Sequence, residues 1–227
     1  HMLQAGHLPN APLAAQNNLA IGRARYPGMP IVNGEPPYEG HAGTNLADVQ
    51  RYSFWTSMLC GASGYTYGAA GIFQANDRER PTGDRPDGGA FDAVTWDEAM
   101  MFRGAEQVAR GHALLTELGV HRFEPHPEWV KASLRWGHEA YPIPWRAFAA
   151  GIPGECRVIY LPVRWYHWEG PLVRFLEPGI KYKAAYIEPN TFKSHELGVI
   201  CGDAEGQWQA PTLPHMYDWL LVLRKQS

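Results

Sequence analysis

Residues 30–40 read PIVNGEPPYEG, and this segment is the most informative one for predicting the fold. The apolar pair Ile31-Val32 leads into Asn33-Gly34 and then Glu35, which two prolines follow. This pattern predicts a short buried strand ending in a carboxylate, and functional groups of βα units project from such strand ends. Because the prolines restrict the backbone, they hold Glu35 in one orientation. Two interpretations stay open: a catalytic carboxylate, or a turn cap that accepts backbone N–H groups.

Strand and helix patterns alternate on both sides of this stretch. Upstream, LQAGH at residues 3–7 predicts a short strand ending in His7. Downstream, residues 47–62 have helical apolar spacing, and GYTYGAAGIFQ at 64–74 predicts another buried strand. A capping box, Thr95–Glu98, predicts one helix from residue 96 that closes at Gly119. This alternation indicates a parallel sheet.

The second half of the chain has a different pattern. Short β-branched and aromatic segments follow one another, separated by turns such as Glu177-Pro178-Gly179. This spacing predicts a small antiparallel β-sandwich. We therefore divide the chain into an α/β part, residues 1–144, and an all-β part, residues 145–227, joined by a proline-rich connection.

Composition argues against several partners and cofactors. With a net charge of -3 and no basic block, the chain carries no signal for nucleic acid. It has no apolar run long enough to span a membrane and no glycine-rich phosphate loop. Asp77, Asp84 and Asp87 do not have the spacing of a calcium loop, so no metal and no other cofactor is predicted. No signal peptide is recognisable, and the localisation stays open.

Several side chains near Glu35 are candidates for a shared site. His7 ends the upstream strand, where it either hydrogen-bonds a substrate hydroxyl or is an ordinary loop histidine. Glu39 is either a partner carboxylate or a group that orients Tyr38 or a backbone amide. Tyr67 either tunes the charge of a nearby carboxylate or packs in the core, and Gln74 follows the same predicted strand. The chain has 9 Trp and 11 Tyr. Some of these rings pack in the core, and because aromatic faces also stack on sugar rings, carbohydrate is one candidate substrate.

These segments together resemble the apiosidase-like glycoside hydrolases. PIVNGEPPYEG and the following DVQRYSFWTSMLCGASGYTYGAAGIFQ are similar to the last part of that family's catalytic barrel, with LQAGH as the preceding strand. The tail, from RVIYLPV at residue 157 onward, resembles the β-sandwich that follows those barrels. The resemblance implies a partial (β/α)8 barrel, about its last three βα units, followed by the sandwich.

The same resemblance implies an enzyme and a mechanism. Glu35 corresponds to the family's nucleophile. We expect His7, Tyr38, Glu39, Tyr67 and Gln74 to bind the substrate, a side chain of a plant or microbial polysaccharide. Hydrolysis would retain the anomeric configuration through a glycosyl-enzyme ester. The family also implies a bacterial protein of the periplasm or exterior.

One departure from the family pattern concerns the second carboxylate. The family's acid/base lies on an earlier barrel strand, whereas this sequence starts at what corresponds to the sixth strand. A full barrel needs roughly 250 residues. We therefore expect a partner chain or a homo-oligomer to complete the barrel.

Two other functions remain open from the sequence. The chain is alternatively a non-catalytic carbohydrate-binding or structural subunit, or an inactive fragment of such an enzyme. Ester hydrolysis is a weaker alternative, because CGASG around Ser63 does not meet the G-x-S-x-G pattern.

Overall fold

The computed structural model of the protein describes residues 1–7, 10–79, 94–131, 146–162 and 170–226. They divide into two compact units, His1–Met58 with Ala62–Ala113, and Leu59–Gly61 with Leu114–Ser227. The domain boundary predicted between residues 144 and 145 falls outside the described residues and stays a prediction. Among the described helices, none has the length and apolar character needed to cross a membrane.

The first unit contains a parallel sheet of three short strands in the order β1-β2-β3. The strands are β1 (Met2–Gln4), β2 (Val32–Glu35) and β3 (Gly64–Tyr65). Helix α1 (Ala11–Arg25) lies between β1 and β2 in the chain, and helix α2 (Ala47–Leu59) lies between β2 and β3. Parallel strands joined through helices are the arrangement that the alternating pattern predicted.

Strand β3 is much shorter than the segment 64–74 predicted from the sequence. The chain leaves the strand after Tyr65, and the Thr66 side chain ties it to the end of β2. The Thr66 amide donates to the Asn33 carbonyl at 3.0 Å, and its hydroxyl donates to the Gly34 carbonyl at 2.8 Å. Residues 66–68 are irregular and Ala69 forms an isolated bridge with Glu39, so strand alternation does not place Tyr67.

The prediction of a single helix from residue 96 to Gly119 is also wrong in one respect. The structure has two helices, α3 (Trp96–Ala99) and α4 (Arg103–Glu117). The predicted capping box does form at Thr95, and Gly119 ends the region with a φ of +79°. The chain breaks between the helices because the Met101 and Phe102 amides bond three residues back, to Glu98 and Ala99.

Helices α2 and α4 meet in the core of the first unit. Phe54 and Trp55 on α2 are almost fully buried. Gly111 on α4 faces them, because a Cβ atom there would lie 2.6 Å from Cε1 of Phe54. Glycine at this position lets the α4 backbone pack closely against Phe54 and Trp55 on α2. This packing helps to position α4, including its first turn.

The second unit is rich in antiparallel strands. Its larger sheet has the order β10-β9-β12-β7-β6-β4, and a smaller sheet has the order β11-β8-β5. The strands are β4 (Glu124–Pro125), β5 (Val130–Lys131), β6 (Phe148–Ile152), β7 (Cys156–Leu161), β8 (Leu172–Val173), β9 (Tyr182–Ile187), β10 (Ser194–Ile200), β11 (Trp208–Gln209) and β12 (Trp219–Lys225). Buried residues from both sheets, including Val173 and Leu221, form a hydrophobic cluster. That this unit is a β-sandwich stays a prediction.

Candidate active site

Glu35 lies at the C-terminal end of β2, where the sequence predicts it. The pairing of β1 with β2 is irregular here: Leu3 faces Asn33 and Gln4 faces Glu35, so Gly34 has no partner on β1. An extra residue of this kind redirects the side chains after it. A Cβ atom at Gly34 would lie 2.4 Å from Cγ of Met2, so that exposed side chain would have to move.

Two side chains hold the Glu35 carboxylate. Nε2 of Gln4 donates to Oε2 at 2.5 Å, and Nε2 of His7 lies 3.4 Å from Oε1. The Glu35 side chain is nevertheless 30% exposed. It is therefore oriented by its neighbours and still open to a ligand.

The Tyr38 amide determines how His7 faces Glu35. The Tyr38 N–H donates to Nδ1 of His7 at 3.3 Å, so Nδ1 acts as an acceptor. A neutral imidazole with Nδ1 as acceptor carries its proton on Nε2, the atom that faces Glu35. His7 therefore links the backbone after β2 to the carboxylate at the end of that strand.

Tyr38 packs beside this pair. Its ring centroid lies 4.2 Å from that of His7. On another side the ring meets Gly68, where a Cβ atom would come within 2.3 Å of its Cδ1. Burial, with a smaller contribution from the negative charge of Glu35, raises the pKa of Tyr38 above its ordinary value. The hydroxyl is thus kept protonated and able to donate a hydrogen bond.

Glu39 makes a separate set of contacts. It is 3% exposed; its Oε2 accepts from the Tyr67 hydroxyl at 2.7 Å, and its Oε1 accepts from the Gly104 amide at 3.2 Å. Burial raises the pKa of Glu39, although these two donors and the charge of Arg51 act in the opposite direction. The bond to Gly104 places this carboxylate at the first turn of α4, where a negative charge is favoured. Of the two alternatives for Glu39, these contacts match the one in which it orients a backbone amide.

Tyr67 and Gln74 are occupied by other contacts. Burial and the bond to Glu39 raise the pKa of the Tyr67 hydroxyl far above its ordinary value. Oε1 of Gln74 accepts from the Gly71 amide at 3.0 Å, which closes a turn. The structure thus brings together Glu35, His7 and Tyr38, while Glu39 and Tyr67 pair with each other.

Sequence reasoning missed Gln4, which contacts Glu35 directly. Its position in LQAGH was a usable signal, because neighbouring parallel strands place their C-terminal ends at one edge. Of the three aspartates considered for calcium, Asp84 and Asp87 lie outside the described residues. Within the ranges that the structure describes, no group of three or more His, Cys, Asp or Glu is arranged to hold a metal.

Comparisons with known proteins agree with this architecture. The family model described as "Apiosidase-like, catalytic domain" matches residues 1–121, which is more than half of the 227 residues. No functionally curated protein matches the sequence significantly.

Two solved structures share the fold. One, titled "Glycoside hydrolase", matches with a TM-score of 0.76 and 18% sequence identity. The match covers 98% of this chain and 52% of the chain of that structure. The other, a glycoside hydrolase of family 5 from Bacteroides vulgatus ATCC 8482, has a TM-score of 0.70 and 17% identity, covering 98% and 50%. The chain therefore spans about half the length of these structures. The mixed α/β fold of glycoside hydrolases is confirmed.

Proposed function

The chain belongs to the apiosidase-like catalytic-domain family, and from this premise we propose that it acts as a retaining glycoside hydrolase. The family name points to apiosides, the glycosides of the furanose sugar apiose. Such units occur as side chains of polysaccharides, the substrate class that the sequence predicts. Glu35 is the nucleophile in this proposal.

The environment of Glu35 is the observation that carries the proposal. A nucleophilic carboxylate needs a fixed orientation, a negative charge and access to the anomeric carbon. Gln4 and His7 provide the orientation, and the exposed fraction of the side chain provides the access. Neither Gln4 nor His7 carries an obligatory positive charge, and among the described residues no ion pair joins Glu35 to a lysine or an arginine.

The proposed reaction has two steps. A Glu35 oxygen attacks the anomeric carbon and forms an ester as the glycosidic C–O bond breaks, while an acid gives its proton to the leaving oxygen. Water then attacks the same carbon, gives its proton to that acid's conjugate base, and releases the sugar and the free carboxylate. The Nε2–H of His7 holds the attacking group in line for both steps.

Glu39 is not the acid in this proposal. Both of its oxygens accept hydrogen bonds from buried donors, and the side chain has almost no access to a ligand. In this proposal the acid/base comes from a partner chain or from another copy of this chain, which completes the barrel. The similar solved structures are about twice as long as this chain and thus contain polypeptide that has no counterpart in these 227 residues.

A rescue experiment tests the nucleophile without depending on the acid. A 4-nitrophenyl apioside has a leaving group that needs little protonation, so its cleavage reports mainly on nucleophilic attack. Glu35→Ala should lower turnover at least about 10³-fold, and azide should restore it by forming a glycosyl azide of inverted configuration. Glu39→Gln is the matched control and should keep turnover near that of the parent. Unchanged turnover in Glu35→Ala would remove Glu35 from the mechanism.

The native mass tests the partner. The assembly that turns over substrate should exceed 25.4 kDa, the mass of a single chain, and should contain either a second chain or further copies. An active monomer would contradict the external acid/base. A monomer that binds carbohydrate without cleaving it would favour the non-catalytic binding module instead.

A further inference from the structure

Phe73 is a large apolar side chain that stays exposed beside the candidate active site. It is 53% exposed, and its ring centroid lies 5.3 Å from that of Tyr38. Tyr38 in turn contacts His7, which faces Glu35. A line of aromatic rings therefore leads away from the carboxylate, and its outer member is open to solvent.

The turn that carries Phe73 is held firmly in place. The Phe73 amide donates to the Ala69 carbonyl at 3.2 Å, and the Asn76 amide donates to the Gly71 carbonyl at 2.9 Å. The Gln74 side chain closes the same turn through Gly71. Exposing an apolar ring is unfavourable, and here it is exposed on a braced backbone, which is how a binding site keeps a side chain in position.

A second set of contacts anchors this turn to the chain before α3. The Asn76 side chain donates to the Val94 carbonyl at 2.8 Å. Gly71 has a φ of +85°, and a Cβ atom there would lie 2.7 Å from the same carbonyl. Glycine at this position thus allows the backbone to approach closely. Gln74, predicted to bind substrate, also closes the turn through the Gly71 amide.

We propose that Tyr38 and Phe73 form an aromatic wall for a second sugar unit, next to the unit whose glycosidic bond Glu35 attacks. Because the two rings are tilted by 46°, Phe73 is the ring that stacks on the sugar. The inference rests on the proposed function, because it takes Glu35 as the point of attack. Aromatic faces pack against the apolar C–H faces of sugar rings, and Tyr38 adds a hydroxyl donor. The wall makes the chain selective for oligosaccharides over single sugars.

The test compares a one-sugar and a two-sugar ligand. Methyl apioside and an apiose-containing disaccharide are titrated into the native assembly carrying Glu35→Gln, so that binding is measured without hydrolysis. Adding Phe73→Ala should weaken disaccharide binding about 3- to 10-fold and leave methyl apioside within about twofold. Phe73→Trp should bind the disaccharide as the parent does, whereas Phe73→Leu should not, because it keeps apolar bulk without a flat face.

A matched control and the contrary outcomes complete the design. Ile21→Ala removes another exposed apolar side chain, 62% exposed on α1, and should change neither affinity. Three outcomes would overturn the proposed wall. Phe73→Leu could bind the disaccharide as tightly as the parent does, or Phe73→Ala could lose affinity equally for both ligands. The third is that the parent does not bind the disaccharide. Persisting turnover in the single variant Glu35→Gln would refute the proposed nucleophile instead, so the two failures are distinguishable.

Discussion

Nε2 of His7 lies 3.4 Å from Oε1 of Glu35, while Nδ1 of the same ring accepts a hydrogen bond from the Tyr38 amide. The two contacts fix both the orientation and the tautomer of the imidazole. His7 is thereby a positioning residue for Glu35 in the proposed reaction. It joins the upstream strand to the carboxylate that the next strand delivers.

Substitutions at His7 separate its two contacts. Gln places an amide nitrogen about where Nε2 stands, whereas Asn reaches only the position of Nδ1. Because a misplaced nucleophile is costly, His7→Asn should lower kcat about 10- to 100-fold with little change in KM, and His7→Gln should lose less. Steady-state kinetics on the 4-nitrophenyl apioside give both constants. A rise in KM alone would show that His7 binds substrate instead of positioning Glu35.

The buried Glu39 carboxyl should make stability depend on pH. Burial raises its pKa in the folded protein, so the folded state holds this proton more tightly than the unfolded chain does. The stabilisation is complete below the unfolded pKa and is lost as the pH rises through the folded pKa. Glu39→Gln cannot titrate, so its Tm relative to the parent should increase from pH 4 to pH 7.5. Parallel Tm curves for the two proteins would contradict this assignment.

Gly104→Ala should destabilise the protein, although alanine normally improves a helix. A Cβ atom at Gly104 would lie 2.1 Å from Oε2 of Glu39, so the carboxylate must move or the helix must shift. We expect a loss of about 1–3 kcal/mol in the free energy of unfolding, measured by denaturant titration. In a Glu39→Ala background the same change should cost less, because Cγ of Gln50, at 2.9 Å, is then the remaining close contact. Equal costs in both backgrounds would mean that the contact does not exist.

Gly68→Ala should disturb the Tyr38 ring and thereby the site. The added Cβ atom would lie 2.3 Å from Cδ1 of Tyr38, a collision that the ring can relieve only by turning away from His7. Turnover should fall about 10-fold or more, with a smaller change in Tm. Gly64→Ala is the control, because its Cβ atom would meet Val32 at an ordinary 3.4 Å. Similar kinetics for both variants would argue against a role for Tyr38.

Local signals in the sequence predicted part of this structure correctly. The position of Glu35 at a strand end follows from an apolar pair, a turn and two prolines that are all contiguous. The capping box at Thr95 and the glycine that ends the helical region at Gly119 are equally local. Each depends on backbone preferences within a few residues, which a sequence displays directly.

Contacts between distant residues could not be predicted in the same way. The Gly104 amide meets Glu39 across 65 positions of sequence, and this contact accompanies the break that turns one predicted helix into α3 and α4. Likewise, the short strand β3 ends because the Thr66 side chain bonds to β2. Apolar spacing does not record either bond. For the same reason, the sequence did not predict that Gln74 accepts a hydrogen bond from the Gly71 amide.

Covalent trapping tests directly whether Glu35 is the nucleophile. A 2-deoxy-2-fluoro glycosyl fluoride of the substrate sugar slows hydrolysis of the ester more than its formation, so the intermediate accumulates. In the assembly that turns over substrate, mass spectrometry should find one glycosyl group on the peptide containing Glu35. No label on that peptide, or a label on another carboxylate, would contradict the account.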